Sequence, residues 1–335
     1  MTELPLSLRA YLAATHVVPL LANRHLQRRV ARGKEHPTRW VEKCGKPSAT
    51  RPDGSLIWLH AVGLGEVLAL RGLITEMASQ TDAHFLVTSS TRAGAQAFAE
   101  NAPPRTIHQF LPLDAPPFRR AFLDHWKPDL CVWTEQDIWP GFVLDLKKRN
   151  IAQCMIAARM NNASFARHRR SRATFQFIYN EMRLITAQDP ATAKYLEHLG
   201  ATDVRTTGSL KSSAPPLQCD ANELTAISEQ TAGRFVWAVA PAHSADINIA
   251  LAAHTQLLTT NPTALLIIVP RFPDRSVEIA LPFTTRSKAE MPTKAVWLMD
   301  TMGELGLVYR LAQAALIGGT FDETEGHNPW EAVAL

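Results

Sequence analysis

Residues 55–66 read SLIWLHAVGLGE, and this short stretch decides the fold. Ser55–Ala61 is an apolar run typical of a strand, Gly63 and Gly65 follow it, and an apolar helical pattern begins at once. Two glycines between a strand and a helix let a ligand approach the backbone closely. The spacing is not GxGxxG, and no P-loop lysine follows. Glu66 falls in the first helical turn, where it either complements the helix dipole or acts as a general base facing a ligand.

The same alternation of strand and helix recurs along the chain. The further strands that the pattern predicts are His84–Ser89, Thr106–Leu111, Asp129–Thr134, Ile151–Ala157, Phe235–Ala240, Ala264–Val269, Ala295–Leu298 and Ala314–Gly318. Alternation of this kind predicts parallel sheets covered by helices. We therefore expect an α/β chain of two Rossmann-like domains that face each other across a cleft, with ligands beyond the carboxyl ends of the strands.

Composition narrows the class of protein. The chain has 335 residues, is 46% hydrophobic and 20% charged, and carries a net charge of +4. These values are typical of a globular protein and exclude a disordered, collagenous or polytopic membrane chain. The small net charge predicts no nucleic-acid partner. The four cysteines are scattered singles without clustered histidines, so we expect reduced thiols, with neither a disulfide framework nor a zinc site.

The sequence divides into an N-terminal segment and two domains joined by a linker. Residues 5–23 are apolar and residues 24–34 are strongly basic, which fits either a membrane-surface anchor or an amphipathic helix packed on the first domain. Residues 1–30 are predicted to form this N-terminal segment, 31–211 the first domain, 212–220 a linker and 221–335 the second domain. Because residues 328–335 begin a helix without a cap, we expect the chain to be a fragment with an incomplete second domain.

Two aspartates that precede predicted helices are expected to cap them. Pro116–Trp126 is predicted to be a helix, capped by Asp114, with Arg119 and Arg120 away from its apolar face. Asp137 is predicted to cap the next helix, which starts near Trp139-Pro140.

Other residues that could carry chemistry follow predicted strands. Glu135 ends one strand and has no structural explanation, whereas Lys211 has the pattern of a solvated surface lysine. A basic run after residue 157 includes Arg159, Arg169 and Arg170, which suit an anionic or phosphorylated substrate. In the second domain, helix starts beside an arginine form a ready anion site. The residues concerned are Pro270, Arg271, Met302, Gly303, Glu304, Asn328 and Glu331.

In this order, these motifs resemble those of the 3-deoxy-D-manno-octulosonic acid (Kdo) transferases of lipopolysaccharide synthesis, inverting glycosyltransferases of the GT-B fold. The resemblance covers nearly the whole chain from about residue 30. The segments that carry it are 60–66, 135–140, 208–211, 269–271, 300–306 and 326–331.

The resemblance implies roles for individual residues. Glu66 matches the general base, and Glu135 and Lys211 match groups that stabilise the transition state. The seven second-domain residues named above match the set that binds CMP of the donor, CMP-Kdo. The implied acceptor is the phosphorylated disaccharide lipid A precursor at the cytoplasmic face of the inner membrane, and the implied reaction needs no cofactor and no metal. The basic run and the apolar N-terminus fit that acceptor and that surface.

Several residues depart from the family pattern at motif positions, among them Gly63, Asp137, Ala157, Pro241, Phe272 and Ser209. Because they fall at motif positions rather than in the cores, they leave two alternatives open. One is a diverged paralogue that transfers another nucleotide-sugar. The other is a binding protein that keeps the fold without turnover.

Overall fold

A computed structural model describes residues 4–100, 102–135, 137–213, 216–321 and 326–335. The chain divides into two compact units, Met1–Ala214 and Pro215–Leu335. Residues 214 and 215 of the predicted linker lie outside the described residues, as does Gln136 beside the predicted site.

The described part of the first unit forms a seven-stranded sheet in which every pairing is parallel. Its strands are β1 (Leu56–His60), β2 (His84–Ser89), β3 (Thr106–Phe110), β4 (Leu130–Thr134), β5 (Ala152–Ala158), β6 (Leu184–Ala187) and β7 (Val204–Thr206). They lie in the order β3-β2-β1-β4-β5-β6-β7. The winding direction therefore reverses between β1 and β4, which makes this pair the topological switch point of a doubly wound sheet.

Two helices precede these strands, and the others lie between them along the chain. They are α1 (Leu6–Thr15), α2 (Val18–Ala31), α3 (Leu64–Gln80), α4 (Arg92–Glu100), α5 (Pro116–Trp126), α6 (Pro140–Lys148), α7 (Asn162–Arg169), α8 (Arg172–Tyr179) and α9 (Pro190–His198). Two 3-10 helices, Arg39–Cys44 and Leu210–Ser213, complete the unit.

The sheet is buried on both faces, as its near-continuous apolar strands predict. On one face Trp58 packs edge-on against Trp133 and Phe142, with ring centroids 5.3 and 5.4 Å apart. On the other face Leu59 joins a separate cluster with Phe85 and residues of α3 and α4. The alternation of Trp58 and Leu59 between faces fixes how β1 is oriented, and with it the direction in which the turn to α3 leaves the sheet.

Two predictions about polar residues are wrong, and the reason is long-range pairing. Asp114 does not cap α5; it accepts hydrogen bonds from the Gly141 amide at the start of α6 (2.9 Å) and from the Tyr11 hydroxyl (2.7 Å). Arg119 is buried rather than turned away from the core, because it pairs with Asp114 and with Asp145. A buried arginine is stable only when its charge is compensated in this way.

The described part of the second unit forms a five-stranded parallel sheet in the order β10-β11-β9-β8-β12. Its strands are β8 (Val236–Ala242), β9 (Leu265–Pro270), β10 (Phe283–Thr285), β11 (Val296–Leu298) and β12 (Ala314–Ile317). Its helices are α10 (Ala221–Gln230), α11 (Ser244–Thr260), α12 (Leu305–Leu311) and α13 (Trp330–Val333), with a 3-10 helix at Arg286–Lys288. Apolar clusters cover both faces of the sheet, so this unit has a core of its own.

Candidate active site

Glu66 lies in the first turn of α3, directly beyond the carboxyl end of β1. Its Oε2 accepts a hydrogen bond from the Val62 amide at 2.8 Å, so the turn holds the carboxylate in place. Gly65 lies next to Lys211, since a Cβ built at that position would be 3.8 Å from the lysine side chain, an ordinary van der Waals contact. The turn that carries Glu66 therefore runs beside Lys211.

Glu135 follows β4, the strand beside β1 at the switch point. Its backbone is left-handed, with φ of 55°, and its amide donates to the Ile156 carbonyl at 3.1 Å. Lys211 Nζ lies 3.1 Å from Glu135 Oε1, and both side chains are about four-fifths buried. Lys211 is therefore not a solvated surface lysine. The structure brings together the three residues that the resemblance singled out as catalytic.

The surroundings of Glu66 change the pKa of its carboxyl group. Burial is the largest influence and raises the pKa of the Glu66 carboxyl above its usual range, and the charge of Glu135 raises it further. The Val62 and Gly63 amides and the Lys211 ammonium oppose that rise without cancelling it. A carboxyl of raised pKa is a better proton acceptor once ionised, which suits general-base chemistry near neutral pH.

Asp137 does not cap α6. Its Oδ2 lies 2.8 Å from Nε2 of His60 and accepts a hydrogen bond from the Trp139 indole at 3.1 Å. The role predicted for Asp137 is filled by Asp114, whose carboxylate accepts from the first turn of α6. Sequence reasoning missed the His60–Asp137 contact because the two residues are 77 positions apart.

The basic residues predicted for an anionic acceptor are exposed. Arg159 follows β5, Arg169 ends α7, and Arg170 is the next residue. All three side chains are exposed to solvent. Arg159, directly after β5, lies on the same edge of the sheet as Glu66 and Glu135, because parallel strands present their carboxyl ends together. Arg169 and Arg170 instead lie at the far end of α7.

The residues predicted to bind a nucleotide lie along the carboxyl edge of the second sheet. Pro270 ends β9, and the Arg271 amide donates to the Ala242 carbonyl at the end of β8 (2.8 Å). Because β11 is the other neighbour of β9, the loop of Met302 and Gly303 follows the adjacent strand. Met302 is 78% exposed and Arg271 is also exposed. An arginine and an apolar side chain on one open edge can serve a phosphate and a base, respectively.

Glu304 is already engaged by protein groups. Its Oε1 accepts hydrogen bonds from Arg286 Nε at 3.1 Å and from the Thr301 hydroxyl at 2.7 Å. Arg286 also pairs with Glu223, and the two carboxylates outweigh partial burial and raise the pKa of its guanidinium. The sequence did not predict this arginine, since Arg286 lies in a short segment without a periodic pattern.

The last predicted site residues lie near β12. Asn328 Nδ2 donates to Glu331 Oε1 at 3.3 Å, and the His327 amide donates to the Gly318 carbonyl at 2.9 Å. The imidazoles of His327 and His243 stack with their Nε2 atoms 2.9 Å apart. This segment therefore continues the row of candidate residues from β9 to β8 and β12.

Asp246, in the first turn of α11, is a further residue that sequence reasoning missed. It is fully buried, and its Oδ2 accepts from the His243 amide (2.9 Å) and from the Gly319 amide (2.7 Å). It thus ties the end of β8 to the turn after β12. Within the described ranges, no cluster of His, Cys, Asp and Glu side chains is arranged to hold a metal ion.

Solved structures with the same fold define the class. The chain matches UDP-GlcNAc 2-epimerase from Neisseria meningitidis bound to UDP-GlcNAc with a TM-score of 0.52 and 13% identity, over 78% of this chain and 76% of the other. It matches Anabaena HepE in complex with UDP with a TM-score of 0.50 and 10% identity, over 78% and 73%. Together with the two parallel sheets, this similarity assigns the chain to the GT-B fold.

The family follows from sequence comparison. Residues 38–214 match the family model of the 3-deoxy-D-manno-octulosonic-acid transferases. The chain is 31% identical to the probable mitochondrial transferase of this name from Arabidopsis thaliana, covering 97% of this chain and 77% of the relative. It is 31% identical to the Haemophilus influenzae transferase, over 87% and 71%, and 29% identical to that of Rickettsia bellii, over 90% and 74%. The chain belongs to the Kdo transferase family of glycosyltransferases.

Proposed function

We propose that this enzyme transfers Kdo from CMP-Kdo to a hydroxyl group of the phosphorylated disaccharide lipid A precursor, with inversion and without a metal ion. The observation that carries the proposal is the cluster of Glu66, Glu135 and Lys211 at the switch point of the first sheet. Family membership supports the reaction class. The cluster supplies the groups that the reaction needs.

In the proposed step, Glu66 accepts the proton of the acceptor hydroxyl while its oxygen attacks the anomeric carbon of Kdo. The bond from that carbon to the CMP phosphate breaks, and CMP leaves with the electron pair. Glu135 and Lys211 balance the charge that develops at the sugar, and their ion pair keeps both side chains fixed before the substrate arrives.

The second unit is proposed to bind the nucleotide. Arg271 would meet the phosphate with charge-assisted hydrogen bonds, and Met302 and Gly303 would cover the base and ribose. Glu304 would meet a ribose hydroxyl, and we assign Arg286, which donates to its Oε1, the task of orienting it. Asn328 and Glu331 complete the proposed site after β12.

We further propose that the enzyme works at the cytoplasmic face of the inner membrane. No helix in the part of the chain that the structure describes is long and apolar enough to cross a bilayer. The N-terminal helices nonetheless present exposed apolar side chains, Leu6, Val17, Leu20 and Leu21, next to a basic stretch. A groove of about 600 Å³ between α1, α5 and α6 combines Leu12 and Leu144 with cationic residues. Such surfaces suit an interfacial contact with anionic lipid.

One experiment tests the proposed reaction. The full-length protein is incubated with CMP-Kdo and the lipid A precursor, and the products are analysed by mass spectrometry. We expect the mass of the lipid to increase by whole Kdo residues, and the Glu66→Gln variant to give little product. A folded wild-type protein that produces no Kdo-lipid, but does transfer sugar from another nucleotide-sugar, would overturn the donor assignment.

A further inference from the structure

His60 ends β1 just before the glycine turn, and its imidazole is fully buried. Its Nε2 lies 2.8 Å from Asp137 Oδ2, and its Nδ1 lies 2.9 Å from the Thr88 hydroxyl. An imidazole with partners at both nitrogens is fixed in orientation. The mechanism proposed above gives this buried group no role, although it ends the strand that leads to Glu66 and pairs with the strand that leads to Glu135.

The neighbours of His60 indicate which of its two ring nitrogens donates a hydrogen bond and which accepts one. The Trp58 indole donates to the Thr88 hydroxyl at 2.8 Å, and of the two acceptors near that hydroxyl, His60 Nδ1 at 2.9 Å is closer than the Leu59 carbonyl at 3.5 Å. The Thr88 carbonyl, 3.2 Å from the same nitrogen, already accepts from the Ala61 amide. With Nδ1 as acceptor, the proton of a neutral imidazole lies on Nε2 and is donated to Asp137.

Asp137 in turn anchors the segment that carries Glu135. The His60 ring and the Trp139 indole both bind its Oδ2. Two residues earlier, Glu135 has φ of 55°, a conformation that costs free energy for any residue with a Cβ and persists only where its surroundings hold it. The hydrogen bond of the Glu135 amide to Ile156 fixes one side of this segment, and Asp137 fixes the other.

We propose that His60 is a positioning residue for transfer: through Asp137 it keeps Glu135 in the left-handed conformation that places its carboxylate on Lys211 beside Glu66. This inference rests on the proposed function for its catalytic consequence, but not for its structural one. Without the His60 contact, Asp137 and Glu135 lose their positions, the Glu135–Lys211 pair opens, and Glu66 loses part of its electrostatic setting.

The kinetic test uses His60→Gln, Asp137→Ala and the double variant. Glutamine cannot reach Thr88 and Asp137 at once, and Asp137, at 31% exposure, can be truncated without opening the core. We expect each single variant to lower the single-turnover rate by roughly 10- to 100-fold, with unchanged affinity for CMP. Because both changes break one pathway, the double variant is expected to be no slower than the slower single variant. Multiplied effects, or rates equal to wild type, would overturn the proposal.

A matched control separates positioning from a general loss of stability. His254 of the second unit is also buried, accepts from a tryptophan indole at Nδ1, and bonds to a carbonyl at Nε2. We expect His254→Gln to lower the melting temperature by an amount comparable to that for His60→Gln while transfer stays near normal. If both variants lose transfer in proportion to their loss of stability, the role of His60 is only structural and the proposal fails.

Crystal structures of the wild type and of Asp137→Ala provide a readout that does not depend on the substrate. We expect the Lys211–Glu135 separation to exceed 4 Å in the variant, against 3.1 Å in the wild type. An unchanged ion pair would overturn the proposal whichever sugar the enzyme transfers. Conversely, an opened pair in a protein that does not transfer Kdo would leave the positioning role standing and remove the proposed function.

Discussion

The Glu66 carboxyl is subject to opposing influences, and their balance determines what it can do. A carboxylate that only stabilises a helix start could face solvent and avoid the free-energy cost of burying its charge. The Glu66 side chain is instead partly buried next to a second carboxylate. Helix-dipole complementarity alone does not require a buried partner of like charge. The presence of Glu135 and Lys211 beside Glu66 therefore favours a chemical role over a structural one.

The Glu66→Gln variant separates those two roles. Glutamine keeps the size and an acceptor oxygen for the Val62 amide but cannot take up a proton, so we expect the chemical step to slow by about 10²–10⁴-fold. Donor binding, which we assign to the second unit, should change little. If Glu66 only complements the dipole, the change costs up to about 1 kcal/mol of stability. A stable variant with near-normal single-turnover rate would contradict the general-base assignment.

The pH dependence of transfer tests the electrostatics of the same cluster. A general base works only when deprotonated, and the pKa of Glu66 is raised, so the rate should fall on acidification at a pH above that of an ordinary carboxyl. The charge of Lys211 lowers this pKa and that of Glu135 raises it. Removing Lys211 by Lys211→Met should therefore move the acidic limb to higher pH, and Glu135→Gln should move it to lower pH. Shifts of the same sign in both variants would contradict the cluster.

The Arg271→Ala variant tests the nucleotide site. The exposed guanidinium is available to a phosphate at the carboxyl edge of the second sheet, and losing one charge-assisted hydrogen bond should weaken CMP binding by about 1.5–3 kcal/mol. Calorimetry on the full chain measures this directly. Arg275→Ala is the matched control, because Arg275 also lies over the Phe272 ring but four residues further along the chain. Equal losses in the two variants would show a diffuse electrostatic effect instead of a site.

At the level of elements, the strands were predictable where the sequence shows an apolar run between turn signals. The strands predicted in both units are confirmed within two residues at each end. The strands that sequence reasoning missed, β6, β7 and β10, have four, three and three residues. Short length alone is not the reason, because β11 and β12, with three and four residues, were predicted from their apolar runs. β7 and β10 instead carry polar residues, and they form strands because a neighbouring strand offers hydrogen bonds.

The N-terminal helices pack on the first unit, as one of the two interpretations of this segment predicted. Their role as a membrane-surface anchor stays a proposal. Helix α1 packs on the first unit through buried Leu8, and the Ser7 hydroxyl is hydrogen-bonded to that of Thr174 at 2.6 Å. Helix α2 buries Ala22 and Leu26 but leaves Leu20 and Leu21 81% and 64% exposed. One face of this segment therefore belongs to the fold, and the other is available to a membrane surface.

Substituting the exposed face tests the membrane proposal without damaging the fold. Serine at positions 20 and 21 removes apolar surface that contributes nothing to the core, so Leu20→Ser/Leu21→Ser should keep its melting temperature and bind anionic vesicles more weakly. Ile249→Ser, which changes an exposed apolar residue of the second unit, is the matched control. Vesicle sedimentation that is equal for both variants and the wild type would contradict a membrane role for α2.

On the scale of the whole molecule, sequence reasoning predicted the two parallel sheets and the position of Glu66 and Arg271 at their carboxyl edges. It could not predict the pairing of Lys211 with Glu135 or of His60 with Asp137, since each contact joins residues more than 70 positions apart. Spacing along a chain determines which residues share an edge of a sheet. Which side chains meet there depends on loop conformation, such as the left-handed backbone of Glu135.

Because we assign nucleotide binding to the second unit alone, CMP should change amide hydrogen exchange in that unit of the full chain. Each unit has its own sheet with apolar clusters on both faces, so ligand binding to one unit stabilises that core directly. A ligand at 100 times its dissociation constant stabilises the state it binds by about 2.7 kcal/mol. Amide hydrogen exchange with CMP at that excess should therefore slow in the segments after β8, β9, β11 and β12. Core amides of β8 and β9 that exchange through unfolding of the unit should slow by up to about 100-fold.

The amides of β1 to β5 should exchange at the same rate with and without CMP, because we assign the nucleotide to the second unit alone. Repeating the measurement on Arg271→Ala at the same CMP concentration should reduce protection after β9 in proportion to the lost affinity, which ties the effect to the proposed site. If CMP protected residues 62–66 and left the second sheet unchanged, nucleotide binding would belong to the glycine turn of the first unit. Glu66 would then be a residue of the donor site, and its assignment as the base for the acceptor hydroxyl would fall with it.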